Sequence, residues 1–249
     1  MAGRTFAVGD IHGDFQHLSL LLSRLPALDA EDTLVFLGDY IDRGPDSAKV
    51  IEHVRGLSHT TPARVVALRG NHEDAWLRVV ERGWPEFVTP PTNGCFEAFR
   101  SFVGGPVPTE DDIPTVEEMG AILKGSFIPP DVVAWFKTLP CWYEDEHALY
   151  VHAGLPKKNG RWLHPSEVSD PLVLLWMRDM DFFENYRGKR VVFGHTATLC
   201  LPSELSGHTP EDPTDLWAGV DVIGIDTRCG KGGFLTAVEF PALQVYESR

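Results

Sequence analysis

The sequence predicts an α/β fold built from parallel strand–helix–strand units. Three observations carry that expectation. Short apolar runs at residues 5–8, 33–37 and 64–68 each stop at or just before a Gly-Asp or Gly-Asn pair. Apolar residues between the runs recur at helical spacing. The length of 249 residues suits one large α/β domain better than two small ones.

The first run, Thr5-Phe6-Ala7-Val8, is short and continuously apolar, as a strand covered on both faces should be. Phe15, Leu18, Leu21, Leu22 and Leu25 follow at the spacing of an amphipathic helix. The second strand is 33–37, and Val50, Ile51, Val54 and Leu57 mark the second helix. The third strand is 64–68. This alternation is the signature of parallel crossover connections, and ligands of such sheets gather at the carboxyl ends of the strands. Residues 83–140 change texture, with more Pro and Gly and with helices expected near 97–102 and 131–139. They read as a cap-like insertion within a single domain spanning 1–249. Residues 148–151 and 191–193 read as further strands, each ending in a histidine motif. The tail offers 220–225, 234–240 and 243–246 as late strands, partly antiparallel. No internal repeat or low-complexity tract interrupts the chain.

Composition narrows the function. Hydrophobic residues at 43% and charged residues at 23% are those of an ordinary globular protein. A net charge of −14 argues against a nucleic-acid polymer as partner, because phosphate backbones attract Lys and Arg. A small phosphorylated substrate stays open, because bound cations would reverse the field locally. Cys95, Cys141, Cys200 and Cys229 form no C-x-x-C pair and read as free thiols of a reducing compartment. The first motif follows Met1-Ala2-Gly3-Arg4-Thr5 too soon for a signal peptide, and no stretch is apolar enough to span a bilayer. The expectation is a cytoplasmic protein with no membrane partner, its oligomeric state open. The acidic run at 110–112 reads as an exposed loop. His17, His53, His59, His147, His164 and His208 read as solvated or structural, and Trp135 and Phe136 as core.

The chemistry lies in five short motifs. They are Gly9-Asp10-Ile11-His12-Gly13, Gly38-Asp39-Tyr40-Ile41-Asp42-Arg43-Gly44, Gly70-Asn71-His72-Glu73, Val151-His152-Ala153-Gly154 and Phe193-Gly194-His195-Thr196. Asp10, His12, Asp39, Asn71, His152 and His195 are oxygen and imidazole donors at strand ends, the set a pair of divalent cations needs. Asp10 and His12 can project from one loop toward one cation, and a carboxylate such as Asp39 can bridge two. Metals about 3.5–4 Å apart can hold a shared water as hydroxide and clamp both oxygens of an in-line displacement. A mixed O/N set favours Mn, Fe or Zn over Mg or Ca, and manganese is the first choice. His72, next to Asn71, is placed to act as general acid, with Asp42 holding its other ring nitrogen. Arg43 suits non-bridging phosphate oxygens. A structural Asp42–Arg43 ion pair in a tight turn is the duller alternative.

These residues resemble the phosphoprotein phosphatase branch of the calcineurin-like metallophosphoesterases. The match runs from Gly9 to about Thr227 as GDxHG, GDxxDRG, GNHE, a later histidine and GHT. The resemblance implies a four-layer αββα sandwich, two central mixed sheets flanked by helices. It implies Asp10, His12 and Asp39 on one metal, and Asp39, Asn71, His152 and His195 on the other. It also implies His72 as acid oriented by Asp42, Asn71 and Arg43 on the phosphate, and Arg178 of Trp176-Met177-Arg178 as a second clamp. Small bacterial relatives commonly read Ile-Asp-Thr-Gly near the end. Here the stretch is Ile225-Asp226-Thr227-Arg228, followed by Cys229 and Lys231. Arg228 and Lys231 read either as a solvated turn or as extra positive charge near the mouth.

The leading functional expectation is a metal-dependent phosphomonoesterase acting on phosphoserine or phosphothreonine in proteins. The alternative is a hydrolase of dinucleoside polyphosphates such as diadenosine tetraphosphate, whose weakly basic leaving group needs less acid assistance. Related enzymes for that substrate often lack the acid at the position of Asp42, so the intact pair tilts the sequence toward monoesters. A silent protein that only binds a phosphorylated partner is a third reading.

Overall fold

The structure, a computed structural model, describes residues 3–109 and 111–249. Thr5–Val8 forms β1, Phe15–Arg24 α1, Thr33–Phe36 β2, Ser47–Gly56 α2, Arg64–Ala67 β3 and Asn71–Arg82 α3. The next stretch carries α4 (Pro85–Val88), α5 (Cys95–Val103), α6 (Val116–Lys124) and α7 (Pro130–Thr138). Then come β4 (Trp142–Glu144), β5 (Leu149–Val151), β6 (Lys157–Lys158), β7 (Arg161–Trp162), α8 (Val173–Trp176), α9 (Met180–Asn185) and β8 (Val191–Phe193). β9 (Trp217–Ala218), β10 (Val222–Gly224), β11 (Thr236–Phe240) and β12 (Gln244–Glu247) complete the chain.

Two mixed five-stranded sheets form the centre, in the orders β12-β11-β1-β2-β3 and β4-β5-β8-β10-β9. β1, β2 and β3 run parallel, with β11 and β12 added antiparallel at one edge. In the second sheet β5, β8 and β10 are parallel, and β4 and β9 flank them antiparallel. A small β6–β7 hairpin stands apart.

Side-chain alternation builds the layers. Ala7, Val35, Leu37, Tyr150, Val192, Ile223 and Val238 point between the two sheets and form one core. Their neighbours Phe6, Val8, Leu34 and Phe36 point the other way, onto Leu18 and Leu21 of α1, Val50 and Val54 of α2 and Trp76 of α3. Leu149, Val151, Val191, Phe193 and Val222 face outward on the second sheet, against Leu174 of α8 and Phe182 and Phe183 of α9. The result is the αββα sandwich. Burial on both faces is why the central strands read as unbroken apolar runs.

Most expected elements stand within two residues of their expected ends. Two differences stand out. The third strand run leads directly into α3, which the apolar pattern does not mark because its first turn, Asn71 to Asp74, is polar yet buried. α6, with a Thr115–Glu118 capping box, is a helix of the Pro- and Gly-rich segment beyond the two expected there. The late strands are partly antiparallel, as expected: the 220–225 strand pairs parallel with β8, and β11 pairs antiparallel with β12. Asp111 and Asp112 are exposed, as expected for that run, while Glu110, like Met1 and Ala2, lies outside the described residues. Phe136 is fully buried and Trp135 is packed against the same core. All four cysteines are free. Among the described residues, no helix is long and apolar enough to cross a membrane.

Candidate active site

The three parallel strands β1, β2 and β3 end side by side, and so do β5 and β8. Their loops meet where the two sheets face each other. Asp10 and His12 come from the β1 loop, Asp39, Asp42 and Arg43 from the β2 loop, and Asn71 and His72 from the first turn of α3. His152 follows β5 and His195 follows β8. Apart from Arg43 and Arg178, every residue read as a site residue is buried.

The loops are held by one another's polar groups. The Asp39 carbonyl accepts from the backbone N–H of Ile11 and His12 (3.1 and 2.8 Å). The buried Glu73 carboxylate accepts from the N–H of Asp39, Tyr40 and Gly70 at 2.8–2.9 Å. Asp39 Oδ1 accepts from the His72 N–H at 3.0 Å, and Asp10 Oδ2 from the His195 N–H at 2.9 Å. Close approach explains two glycines: a Cβ on Gly70 would collide with Asp39, and one on Gly194 with Asp10 Oδ1. His12, Asp39, Asp42, Arg43 and His195 all adopt positive φ, between 49° and 75°. Left-handed backbone is uncommon for non-glycine residues, and strain of this kind concentrates at functional sites.

The ring nitrogens follow from simple hydrogen-bond logic. His12 Nδ1 sits 3.2 Å from the Ile41 carbonyl and His152 Nδ1 sits 2.8 Å from the Leu37 carbonyl. A carbonyl only accepts, so each Nδ1 carries the proton and each Nε2 presents a lone pair. His152 Nε2 faces Asn71 Oδ1 at 2.9 Å and Asp39 Oδ1 at 3.5 Å, acceptor against acceptor. His12 Nε2 lies 3.3 Å from Asp39 Oδ2. His195 Nδ1 is 2.8 Å from the same Asn71 Oδ1, while His195 Nε2 and Asp10 Oδ1 are buried with no partner. Apart from the Arg43 guanidinium, which reaches His12 Nε2, these lone pairs face one another rather than donors; a divalent cation satisfies such a set, and the residues fit one.

The electrostatics agree. Burial, then Asp226 and Asp39, push Asp10 well above the usual carboxyl range. Burial raises Asp39 to about 7 against the opposing pull of Arg43. Burial lowers His152 to about 4, and burial with the Arg43 charge lowers His12. Burial thus favours neutral imidazoles, the form a metal ligand needs, and at Asp10 and Asp39 it outweighs the positive charge of Arg43. His12, Asp39 and His72 form one group able to hold an ion, and Asp10, Asp39 and His152 form another. Asp39 belongs to both. The resemblance puts Asp10 and His12 on one metal, whereas by proximity they fall in different groups.

Beside this centre, His72 Nδ1 lies 2.6 Å from Asp42 Oδ2. Burial and the nearby Arg43 lower the His72 pKa, and burial raises that of Asp42. The indole N–H of Trp76 donates to both Asp42 oxygens at 2.9 Å and favours the carboxylate. Asp42 therefore pairs with His72, not with Arg43 in a structural ion pair. Arg43 reaches across the mouth, its Nη1 against His12 Nε2 and its Nη2 3.4 Å from His72 Nε2. Arg178 donates to the His195 carbonyl at 3.2 Å.

Three buried residues were not singled out from the sequence. Glu73 stands at the third helical position, and its carboxylate reaches back to the N–H of the N-cap residue Gly70. Trp76 lies four residues after His72, hence on the same helix face. Asp226 follows a buried strand like the other acidic groups, and its charge acts on both Asp10 and Asp39.

Comparison with known proteins is consistent with this geometry. A bis(5′-nucleosyl)-tetraphosphatase (symmetrical) of Vibrio campbellii is 27% identical across 97% of this chain and 97% of its own length. Serine/threonine-protein phosphatase SIT4 of Candida albicans is 37% identical over 32% of this chain and 27% of its own. For the first curated relatives the match is local, spanning 24%, 43% and 27% of their lengths. A crystal structure of a provisionally assigned diadenosine tetraphosphatase superposes with a TM-score of 0.57 and 23% identity, over 99% of this chain and 93% of that one. At that identity the likeness concerns the fold. The family model for calcineurin-like phosphoesterases matches residues 3–199. With the αββα sandwich and the acceptor-lined centre at its strand ends, this chain belongs to the calcineurin-like phosphoesterases.

Proposed function

We propose that the protein is a two-metal phosphohydrolase whose substrates are dinucleoside polyphosphates of the diadenosine tetraphosphate type. The observation that carries the hydrolase reading is the set of lone pairs from Asp10, His12, Asp39, Asn71, His152 and His195 facing one another across a buried centre. The substrate class rests on end-to-end similarity to the Vibrio tetraphosphatase. Those six residues would hold two cations, with Asp39 shared, and the donor set favours Mn, Fe or Zn. Bound there, the cations supply a nucleophilic oxygen at neutral pH and neutralise phosphoryl charge. The chain does the rest. Arg43 and Arg178 bind non-bridging oxygens, assisted by Asn71, and His72 Nε2 gives its proton to the leaving oxygen. Asp42 holds the Nδ1 proton, and the Trp76 indole N–H favours the Asp42 carboxylate against the upward push of burial.

The Asp42–His72 contact favours a second reading. A serine or threonine alkoxide is strongly basic and leaves only with a proton, whereas a nucleotide phosphate leaves more easily. The dyad therefore suits phosphomonoesters, including phosphoproteins, as well. Residues 83–140 we take as a cap-like insertion in a single domain over 1–249. Phe87 stands edge-on to His72 at 5.4 Å, and the Gly94 carbonyl accepts from the Arg43 N–H at 3.2 Å. A cavity of about 500 Å³ lined by Phe96, Glu97, Met119 and Ile122 opens in that segment. The free thiols suit the cytoplasm.

The test compares diadenosine tetraphosphate with a phosphoserine peptide at equal enzyme and saturating manganese. A kcat/KM at least tenfold higher for the dinucleotide is expected. The reverse ratio assigns the protein to phosphoproteins. No turnover of either, or of p-nitrophenyl phosphate, leaves a phospho-partner-binding protein.

A further inference from the structure

We propose that the turn at 228–233 is a second anion subsite, in which Arg228 and Lys231 hold phosphates of a polyphosphate chain beyond the one bound at the metal centre. The inference deepens the polyphosphate reading above and rests on it for the substrate.

Position is the first support. The turn packs directly on the site loop: Gly230, at φ 73°, lies so close to His12 that a Cβ there would run into its carbonyl oxygen and Cβ. Cys229 is fully buried, which pins the turn between the two exposed cations at 228 and 231. The Arg228 N–H donates to Asp226 Oδ1 at 3.0 Å, and its carbonyl accepts from the N–H of Lys231 and Gly233 at 2.9 and 3.1 Å. Arg228 itself adopts φ 64°, a conformation that costs an arginine about 1–2 kcal/mol and costs glycine almost nothing. A turn that needed only its shape would be better served by glycine. Arginine at this position calls for a use of its charge.

The second support is charge left unanswered. The chain has 36 acidic residues against 22 basic ones. Yet among the described residues neither Arg228 nor Lys231 makes a salt bridge, and neither do Arg43 and Arg178. The four lie close enough to act on one another. Lys231 is lowered by partial burial and by the charges of Arg43, Arg228 and Arg178, against the pull of Asp226. Cations gathered without salt-bridge partners in an acidic protein form a focused site for an anion. A single phosphoryl group at the metal centre is served by Arg43 and Arg178. The remaining pair is carried by the turn that packs on His12, next to that centre, where further phosphates of a longer anion would lie.

The experiment measures competitive inhibition of p-nitrophenyl phosphate hydrolysis by inorganic tripolyphosphate and by orthophosphate, with manganese in excess of both. The variants are Arg228→Gly, which relieves the strained backbone, Lys231→Ala, and the two together. The double variant is expected to raise the tripolyphosphate Ki at least tenfold and the orthophosphate Ki less than twofold. The Arg228→Lys, Lys231→Arg exchange is expected to retain most of the selectivity. An equal change for both anions, or none for tripolyphosphate, overturns the subsite. The substrate reading is judged separately. Preference for the phosphopeptide with tripolyphosphate selectivity intact rejects the dinucleotide and keeps the subsite. Dinucleotide hydrolysis undiminished in the double variant does the opposite.

Discussion

Replacing Trp76 by Phe removes the indole N–H from the proposed acid machinery, together with two buried ring carbons. Trp76 is fully buried, and its ring packs edge-on against Phe87 and Phe127 at centroid distances of 5.9 and 5.1 Å. Phe keeps much of that contact. What it loses is the indole N–H, which lies 2.9 Å from both oxygens of Asp42. A hydrogen bond to a charged group contributes about 1.5–3 kcal/mol. Losing it destabilises the Asp42 carboxylate, and with it the protonated His72 that the carboxylate holds through its 2.6 Å contact. At 1.36 kcal/mol per decade, this corresponds to roughly a ten- to hundredfold fall in any step that needs the His72 proton. The assay is a leaving-group series of aryl and alkyl phosphates. Turnover of alkyl phosphates is expected to fall within that range. p-Nitrophenyl phosphate, whose leaving group departs without a proton, is expected to change less than threefold. An equal fall across the series would show that Trp76 supports the fold alone and that the Asp42–His72 pair is not the acid.

His72→Asn is expected to depress alkyl phosphate turnover far more than nitrophenyl phosphate turnover, and equal losses on both would remove His72 from the acid role. Asp39→Asn is expected to weaken both metals together. Elemental analysis returning two full equivalents would refute the shared ligand. A third prediction concerns stability. Burial tends to raise the pKa of Asp32, but the Arg4 side chain and the N–H groups of Asp29 and Arg4 outweigh it, and the net shift is downward. A folded pKa below the unfolded value of about 3.9 gives stability that is present above that pH and lost as pH falls through the folded value. Asp32→Asn is therefore expected to flatten the acid side of the unfolding curve below about pH 4. An unchanged acid limb would contradict the pairing.

The framework of this site was legible because each motif interrupts a two-sided apolar strand. Runs such as Phe6-Ala7-Val8 and Val191-Val192-Phe193 alternate between two cores, so their ends are sharp and the polar residues after them stand out. α3 was hidden for the converse reason. Asn71, His72, Glu73 and Asp74 are buried polar groups, and a periodicity search counts them as loop. Glu73 was in view inside its motif but without a role, since its work is to accept two N–H groups from the β2 loop besides that of its own N-cap, Gly70. Nothing local in the sequence encodes such contacts. The left-handed backbone at Arg43 and Arg228 was equally out of reach, because arginine has no preference for it.

That strained backbone and the carboxylates together explain how the centre can stand ready before any ion arrives. Five of its residues sit at positive φ, at a cost of about 1–3 kcal/mol each. The compensation comes from oxygens that belong to neighbouring loops. Asp10 ties down the His195 N–H, Asp39 the His72 N–H, and Glu73 the N–H groups of Asp39, Tyr40 and Gly70. At Asp10 one oxygen serves the backbone and the other has no partner; at Asp39 one accepts from backbone and the other faces a histidine lone pair. The histidines divide their nitrogens the same way, Nδ1 outward to a carbonyl and Nε2 inward for His12 and His152. Acceptors thus point into the centre, with the Arg43 guanidinium as the donor reaching His12 Nε2 and His72 Nε2, and a cation would answer several inward groups at once. The same bonds that offset the strain aim the proposed ligands, so loosening any one loop should disturb the inward groups of the others before it disturbs the sandwich beneath.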